Sequence, residues 1–135
     1  MDGEVVGRIG AGLVVFVGLA DGDGPADIEY VASKIRDLRV FGDDQGRMNR
    51  SVVDAGGSVL VISQFTLLGD VRKGRRPAFD AAARPEAARA QYETLVSRLR
   101  DSGLRVETGV FQAYMHVDVA NDGPVTILLD SRRLF

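Results

Sequence analysis

The sequence predicts a single α/β domain, a mixed β-sheet with a barrel-like core and two main helices packed on it. Three observations carry this expectation. Two apolar runs rich in β-branched residues, 12–20 (GLVVFVGLA) and 56–67 (GGSVLVISQFTL), read as buried strands. Each is followed by a stretch whose apolar residues recur at helical spacing, and residues 110–120 then alternate strictly between apolar and polar. A chain of 135 residues with 45% hydrophobic content suits one core that buries roughly two thirds of the unfolded surface. No repeat, low-complexity tract or linker interrupts it.

The elements follow in chain order. Residues 12–20 are continuously apolar, as in a central strand covered on both faces. Pro25 suits a first helical position, and Ile28, Val31, Ala32, Ile35 and Leu38 form one stripe, so a helix is predicted over 25–38. The stretch 43–48 (DDQGRM) is turn chemistry, and Gly56-Gly57 leads into the second buried strand. A second helix follows from RPEAARAQYETLVSRLRDSG, with Ala88, Tyr92, Leu95, Val96 and Leu99 on its buried stripe and Gly103 placed to cap its C-terminus. In residues 110–120, Phe111, Ala113, Met115, Val117 and Val119 share one face, and Gln112, Tyr114, His116 and Asp118 the other. Residues 124–130 (PVTILLD) read as a final buried strand. Between these two segments stands a Gly-Pro pair, which stops strand pairing.

Composition excludes several functions. With 17 Lys and Arg against 19 Asp and Glu the net charge is −2, so any nucleic-acid contact must be local. The chain has no cysteine, which removes disulfides, thiolate zinc sites and a cysteine nucleophile, as a reducing cytosol permits. The longest apolar run, Leu13 to Ala20, is far short of the roughly 20 residues a membrane span needs. A cytoplasmic protein with no membrane partner and no cofactor is expected.

Few residues can carry chemistry. His116 is the one histidine and lies mid-strand on the polar face, a poor basis for a Ser-His-Asp arrangement. The acidic residues fall in turns and on helix exteriors, so no metal site is expected, and GDDQG lacks the spacing of a cation loop. Two stretches exceed packing needs. Ser63, Gln64 and Thr66 place three hydrogen-bonding side chains where an apolar strand ends. They read either as a strand end with satisfied hydroxyls or as one wall of a site. Arg72, Lys73, Arg75 and Arg76 crowd around Gly74, which reads either as a solvated loop or as a phosphate-holding one.

In order and spacing, SQFTL (63–67), RKGRRPAF (72–79) and NDGPVT (121–126) resemble the D-aminoacyl-tRNA deacylases, and the likeness runs from Asp2 to about Asp130. The resemblance implies the fold of that family and a hydrolase that cleaves the ester between a D-amino acid and tRNA, and glycine mischarged on alanine tRNA. It implies a homodimer in which Gly123 and Pro124, joined by a cis peptide bond, enter the other subunit's pocket. There the two carbonyls would block an L side chain, while a D side chain points to solvent and glycine passes. Ser63, Gln64, Phe65 and Thr66 are implied in the pocket, with Thr66 a donor rather than a nucleophile, and Asn121 and Thr126 flank the Gly-Pro pair. Arg72, Lys73, Arg75 and Arg76 would hold tRNA; DNA is not an implied partner. Catalysis would lean on the 2′-hydroxyl of the terminal adenosine, so the lack of a histidine base is no obstacle.

The chain departs from that family in three places. Members open with one more strand and an arginine near the pocket, for which Met1 leaves no room; a misassigned start is expected, with an inert tRNA-end-binding dimer as the alternative. Gln112 stands where a glycine is usual, and DSRRLF extends the C-terminus. A small-metabolite enzyme on a similar sheet is disfavoured by the basic loop.

Overall fold

A computed structural model describes residues 3–135, so what was expected of Met1 and Asp2 lies outside the described residues. The elements are β1 (Gly12–Val17), α1 (Pro25–Asp37), β2 (Phe41–Gly42), β3 (Met48–Arg50), β4 (Ser58–Ser63), a one-turn 3₁₀ helix (Phe65–Leu68), α2 (Pro85–Asp101) and β5 (Val106–Thr108). β1, β4 and β5 form a parallel sheet in the order β1-β4-β5, and β2 and β3 form a separate antiparallel ribbon. β1 and β4 pair in register from Gly12/Ser58 to Val17/Ser63.

One face of this sheet makes the core. Val17, Val59, Val61 and Val106 meet Ile28, Ala32 and Ile35 of α1 and Tyr92, Leu95, Val96 and Leu99 of α2. These are the stripes that the helical spacing predicts. Val59, Val61 and Leu95 are fully buried, and each such side chain contributes about 1.5–3 kcal/mol by leaving water. Tyr92 buries its ring here and donates its hydroxyl to the Val61 carbonyl at 2.8 Å, so β4 is held from beneath by a hydrogen bond as well as by packing. Burial pushes the Tyr92 hydroxyl's pKa up.

Helix ends follow local chemistry. Pro25 opens α1, where the Asp27 carboxylate reaches back to the Gly24 N–H at 2.8 Å. Gly103 closes α2 with φ +89, its N–H donating to the Arg100 carbonyl at 3.0 Å.

Two expectations fail. β1 is an edge strand and not the central one: β4 lies between it and β5, a three-residue strand of mixed polarity too short for periodicity to find. The segments 110–120 and 124–130 are not strands. Alternation survives only to Asp118: Phe111, Ala113, Met115 and Val117 are half-buried and Gln112, Tyr114, His116 and Asp118 are exposed, but Val119, expected on the buried face, is exposed. A ladder, however, needs a neighbouring strand as well as the right faces. Here an open cleft of about 1980 Å³ separates these residues from the second sheet face, lined by Val14, Phe16 and Leu60 on one side and by Met115, Val117 and Ile127 on the other.

Gln112 has φ +63, a conformation that L side chains tolerate poorly. Gln112→Gly should therefore raise stability by roughly 0.5–1 kcal/mol, the strain relieved less the entropy of a more flexible unfolded chain. Urea denaturation checks this; an unchanged or lowered midpoint contradicts it.

Candidate active site

The polar end of β4 is placed by backbone. Past Ser63 the ladder continues, the Gln64 N–H donating to the Val17 carbonyl at 2.8 Å, and the chain then turns into the 3₁₀ helix. That turn sits against Gly18: a Cβ there would lie 2.4 Å from Leu68 Cδ2 and 3.1 Å from Leu67 Cβ. A larger residue there would turn the Leu68 methyl aside and press on the Gln64 carbonyl at 3.2 Å.

Within the turn, Gln64 Nε2 donates to Thr66 Oγ1 at 2.6 Å. The Thr66 oxygen is thereby an acceptor, which leaves its hydroxyl proton free to donate outward. The N–H groups of Phe65 and Thr66 open a helical turn and have no acceptor among the described residues. Ser63 is half-buried beside them. The exposed Phe65 ring meets Phe79 edge-on, centroids 5.1 Å apart. Phe79 was not singled out from the sequence, although it closes the quoted RKGRRPAF; Gly69 makes room for it, since a Cβ there would stand 3.1 Å from Phe79 Cε1.

The basic loop leaves this turn directly. Asp70 and Ala78 exchange two backbone hydrogen bonds, 2.7 and 2.9 Å, that close its base, and Gly74 takes φ +67 at its tip. Arg72 folds back, with Nε and Nη2 at 2.9 and 2.7 Å from the two oxygens of Asp70. That pairing lowers the Asp70 pKa from 3.8 to about 2. Lys73, Arg75 and Arg76 are exposed and have no ion-pair partner among the described residues. Of the four cations expected to meet phosphate, three are free and Arg72 is committed to its own loop.

The turn 121–126 closes on itself. Asn121 Oδ1 accepts the Val125 N–H at 3.0 Å, and Asn121 Nδ2 donates to Thr126 Oγ1 at 2.9 Å. The Gly123–Pro124 peptide is cis, and Gly123 has φ +134. Asn121 and Thr126 line the cleft together with Leu67 and Leu68, whereas Gly123 and Pro124 do not. No hydrogen bond joins this turn to Ser63–Thr66 among the described residues. His116 is exposed, its ring 6.2 Å from that of Tyr114. Among the described residues no group of three or more His, Cys, Asp or Glu is placed to hold a metal ion, and no helix is long and apolar enough to cross a membrane.

Fold and site together define a small α/β protein with a strand end of free donors beside an exposed basic loop. The family model for D-Tyr-tRNA(Tyr) deacylase matches residues 1–130. Proteins named D-aminoacyl-tRNA deacylase from Koribacter versatilis and Anaeromyxobacter dehalogenans are 58% and 59% identical over 135 residues, covering all of this chain and 91% of each relative. Among solved structures, one titled c-Myc DNA Unwinding Element Binding Protein is 40% identical, with a TM-score of 0.82 over 88% of this chain and 81% of its own. The chain belongs to the D-Tyr-tRNA(Tyr) deacylase family, which places it among hydrolases.

A depressed carboxylate pKa means that the Asp70–Arg72 pair is intact above the ordinary value near 3.8 and is lost only as pH falls through about 2. A carboxyl-carbon NMR titration should place the Asp70 midpoint near 2, and a midpoint near 3.8 would show that Arg72 does not hold it.

Proposed function

We propose that this chain cleaves the ester joining a D-amino acid to the 3′ end of tRNA, that it also accepts glycine on alanine tRNA, and that it rejects L-aminoacyl-tRNA. Family membership supports the reaction class. The observation that carries the reading to these residues is the Gln64–Thr66 pair with the free Phe65 and Thr66 N–H groups at one strand end.

The chemistry needs little from side chains. Water adds to the ester carbonyl, the carbonyl oxygen gains negative charge, and the bond to the ribose 3′-oxygen breaks. The amino acid leaves as its carboxylic acid, and the attacking water's proton ends on the tRNA 3′-hydroxyl. The neighbouring 2′-hydroxyl of the terminal adenosine is a relay already in place. The Phe65 and Thr66 N–H groups and the Thr66 hydroxyl are donors for the developing oxyanion, each such donor contributing about 3–4 kcal/mol when aimed in advance. Thr66 is not the nucleophile in this reading, because its oxygen accepts from an amide and no base stands beside it among the described residues. Ser63 and Gln64 shape the wall that receives the amino acid.

Lys73, Arg75 and Arg76 meet the phosphates of the tRNA end, and Arg72 stiffens the loop that presents them. Selectivity comes from main chain: the Gly123 and Pro124 carbonyls occupy the space an L side chain would need. Both residues are exposed and stand outside their own chain's cleft, which fits their insertion into a second copy. A cytoplasmic homodimer is the working form in this reading.

Purified protein incubated with D-tyrosyl-tRNA and L-tyrosyl-tRNA should release tyrosine from the D form well above buffer and leave the L form intact. Release no faster than buffer removes the enzyme, and equal release from both removes the filter. Arg75→Ala should weaken tRNA binding and lower the slope of log K against log salt by about one, since one phosphate contact is lost. An unchanged slope contradicts this placement of the RNA.

A further inference from the structure

Residues 116–129, the arm that carries Asn121–Thr126, make no hydrogen bond to the rest of the described residues; Asn121's bonds to Val125 and Thr126 are internal to it. The arm is held at its two ends. On the N-terminal side, the Phe111 ring packs 5.9 Å from that of Tyr92 and lies 4.9 Å from the Arg89 guanidinium, and Met115 Sδ accepts the Val110 N–H at 3.4 Å.

On the C-terminal side the chain turns back at Asp130, whose carboxylate accepts the Arg132 N–H and whose carbonyl accepts the Arg133 N–H, both at 2.9 Å. This turn delivers DSRRLF, the extension for which the sequence alone offers no role, onto the loop before α1. Arg132 Nη2 donates to the Asp21 carbonyl at 3.2 Å and stands 3.5 Å from Asp23 Oδ1. The Arg133 guanidinium lies 5.1 Å from the Tyr30 ring, which Lys34 also approaches at 5.6 Å. The Gly24 N–H and then the Ser131 hydroxyl hold the Asp27 carboxyl below its usual range, with Arg132 adding to the effect.

An exposed ion pair alone is a weak fastener. Asp23, however, is only 10% exposed, and its other oxygen is engaged by the Ala20 N–H at 2.7 Å. The receiving loop is itself fixed to the site. The Asp21 N–H donates to the Ala81 carbonyl and the Ala83 N–H to the Leu19 carbonyl, both at 2.8 Å, joining it to β1's end and to the stretch that follows the basic loop. Three residues upstream of Ala20, the Val17 carbonyl receives Gln64.

We propose that Arg132 is a positioning residue for the deacylation: by clasping Asp21 and Asp23 it fixes the arm to the chain that builds the site, and so sets where the Asn121–Thr126 turn stands. The proposal rests on the function proposed above. Arg132 touches neither Ser63–Thr66 nor the basic loop through any hydrogen bond or ion pair, so it acts through the arm and not on tRNA.

The test compares wild type, Arg132→Ala and Arg132→Lys by ¹⁵N relaxation of residues 116–129 and by release kinetics on D- and L-tyrosyl-tRNA. In Arg132→Ala, the backbone order parameters of 116–129 should fall from about 0.85 to below about 0.6 while those of α2 stay unchanged. For the D substrate, kcat should fall about tenfold with KM within about twofold, and release from the L substrate should rise. Arg132→Lys, which keeps the charge, should recover most of the difference. Unchanged order parameters and kcat overturn the proposal, as does a raised KM with kcat intact, which would make Arg132 a tRNA contact. A wild type that releases no D-tyrosine overturns the functional reading and the catalytic half of this one, leaving the arm's order parameters to decide the clasp. If Arg132→Ala does not fold, Arg132→Gln, which keeps much of the aliphatic stem but removes the guanidinium that meets Asp21 and Asp23, takes its place, and unchanged arm order parameters there overturn the clasp.

Discussion

The close approach of β1 to β4 and to the turn that follows it is the constraint on which the site depends, and it needs glycine at the first pair of β1 and just past its end. A Cβ on Gly12 would lie 1.8 Å from the Ser58 carbonyl oxygen, and one on Gly18 would lie 2.4 Å from Leu68 Cδ2. The ladder therefore runs from Gly12/Ser58 to Val17/Ser63 without a bulge, and the Val17 carbonyl is still in line to accept the Gln64 N–H. Where the ladder stops is where the polar side chains begin. A slip of one residue would reverse every face of β4 and turn Val59 and Val61 out of the core.

From that fixed point the site is built outward by short connections. The 3₁₀ turn frees two N–H groups and pairs Gln64 with Thr66, and the loop after it is closed by Asp70 on both backbone and side chain. Neutralising Arg72 within the loop concentrates the available positive charge at Lys73, Arg75 and Arg76. The stretch after the loop returns to β1's exit through Ala81 and Ala83, and the C-terminal clasp lands on that same exit. One short piece of chain, residues 17–24, is thus the common anchor of strand end, basic loop and arm.

Much of this was legible in the sequence, and what was not has physical reasons. Helix spacing with Pro25 and Gly103 predicts both helices to within a residue or two, because a stripe and its caps are local properties. Strand order is not local: β1's apolar run suggested a centre, yet its outer edge has no ladder among the described residues. Residues 110–120 show the same limit, alternating in burial from Phe111 to Asp118, with Val119 exposed, and without a partner to make them a strand. The site motifs were found through family resemblance, since three polar residues at a strand end have an equally good structural reading. Asp70's grip on Arg72, two residues on, and the fit of Phe79 against Gly69 needed the folded loop. The anchoring of DSRRLF depends on a contact between residues 21 and 132, a separation that no sequence period reports.

Gly18→Ala addresses most directly the claim that the site depends on how closely β1's end meets the exit of β4, because the added methyl meets the 3₁₀ turn and leaves the core pairs untouched. The measurement is kcat on D-tyrosyl-tRNA together with a ¹H–¹⁵N spectrum of the same sample. The account predicts shifts centred on residues 64–69, an otherwise native spectrum and a fall in kcat of about tenfold, since the Leu67 Cβ and Gln64 carbonyl contacts at 3.1 and 3.2 Å require the turn to give by less than the roughly 1 Å that can cost about 100-fold. A native spectrum with kcat unchanged would contradict it.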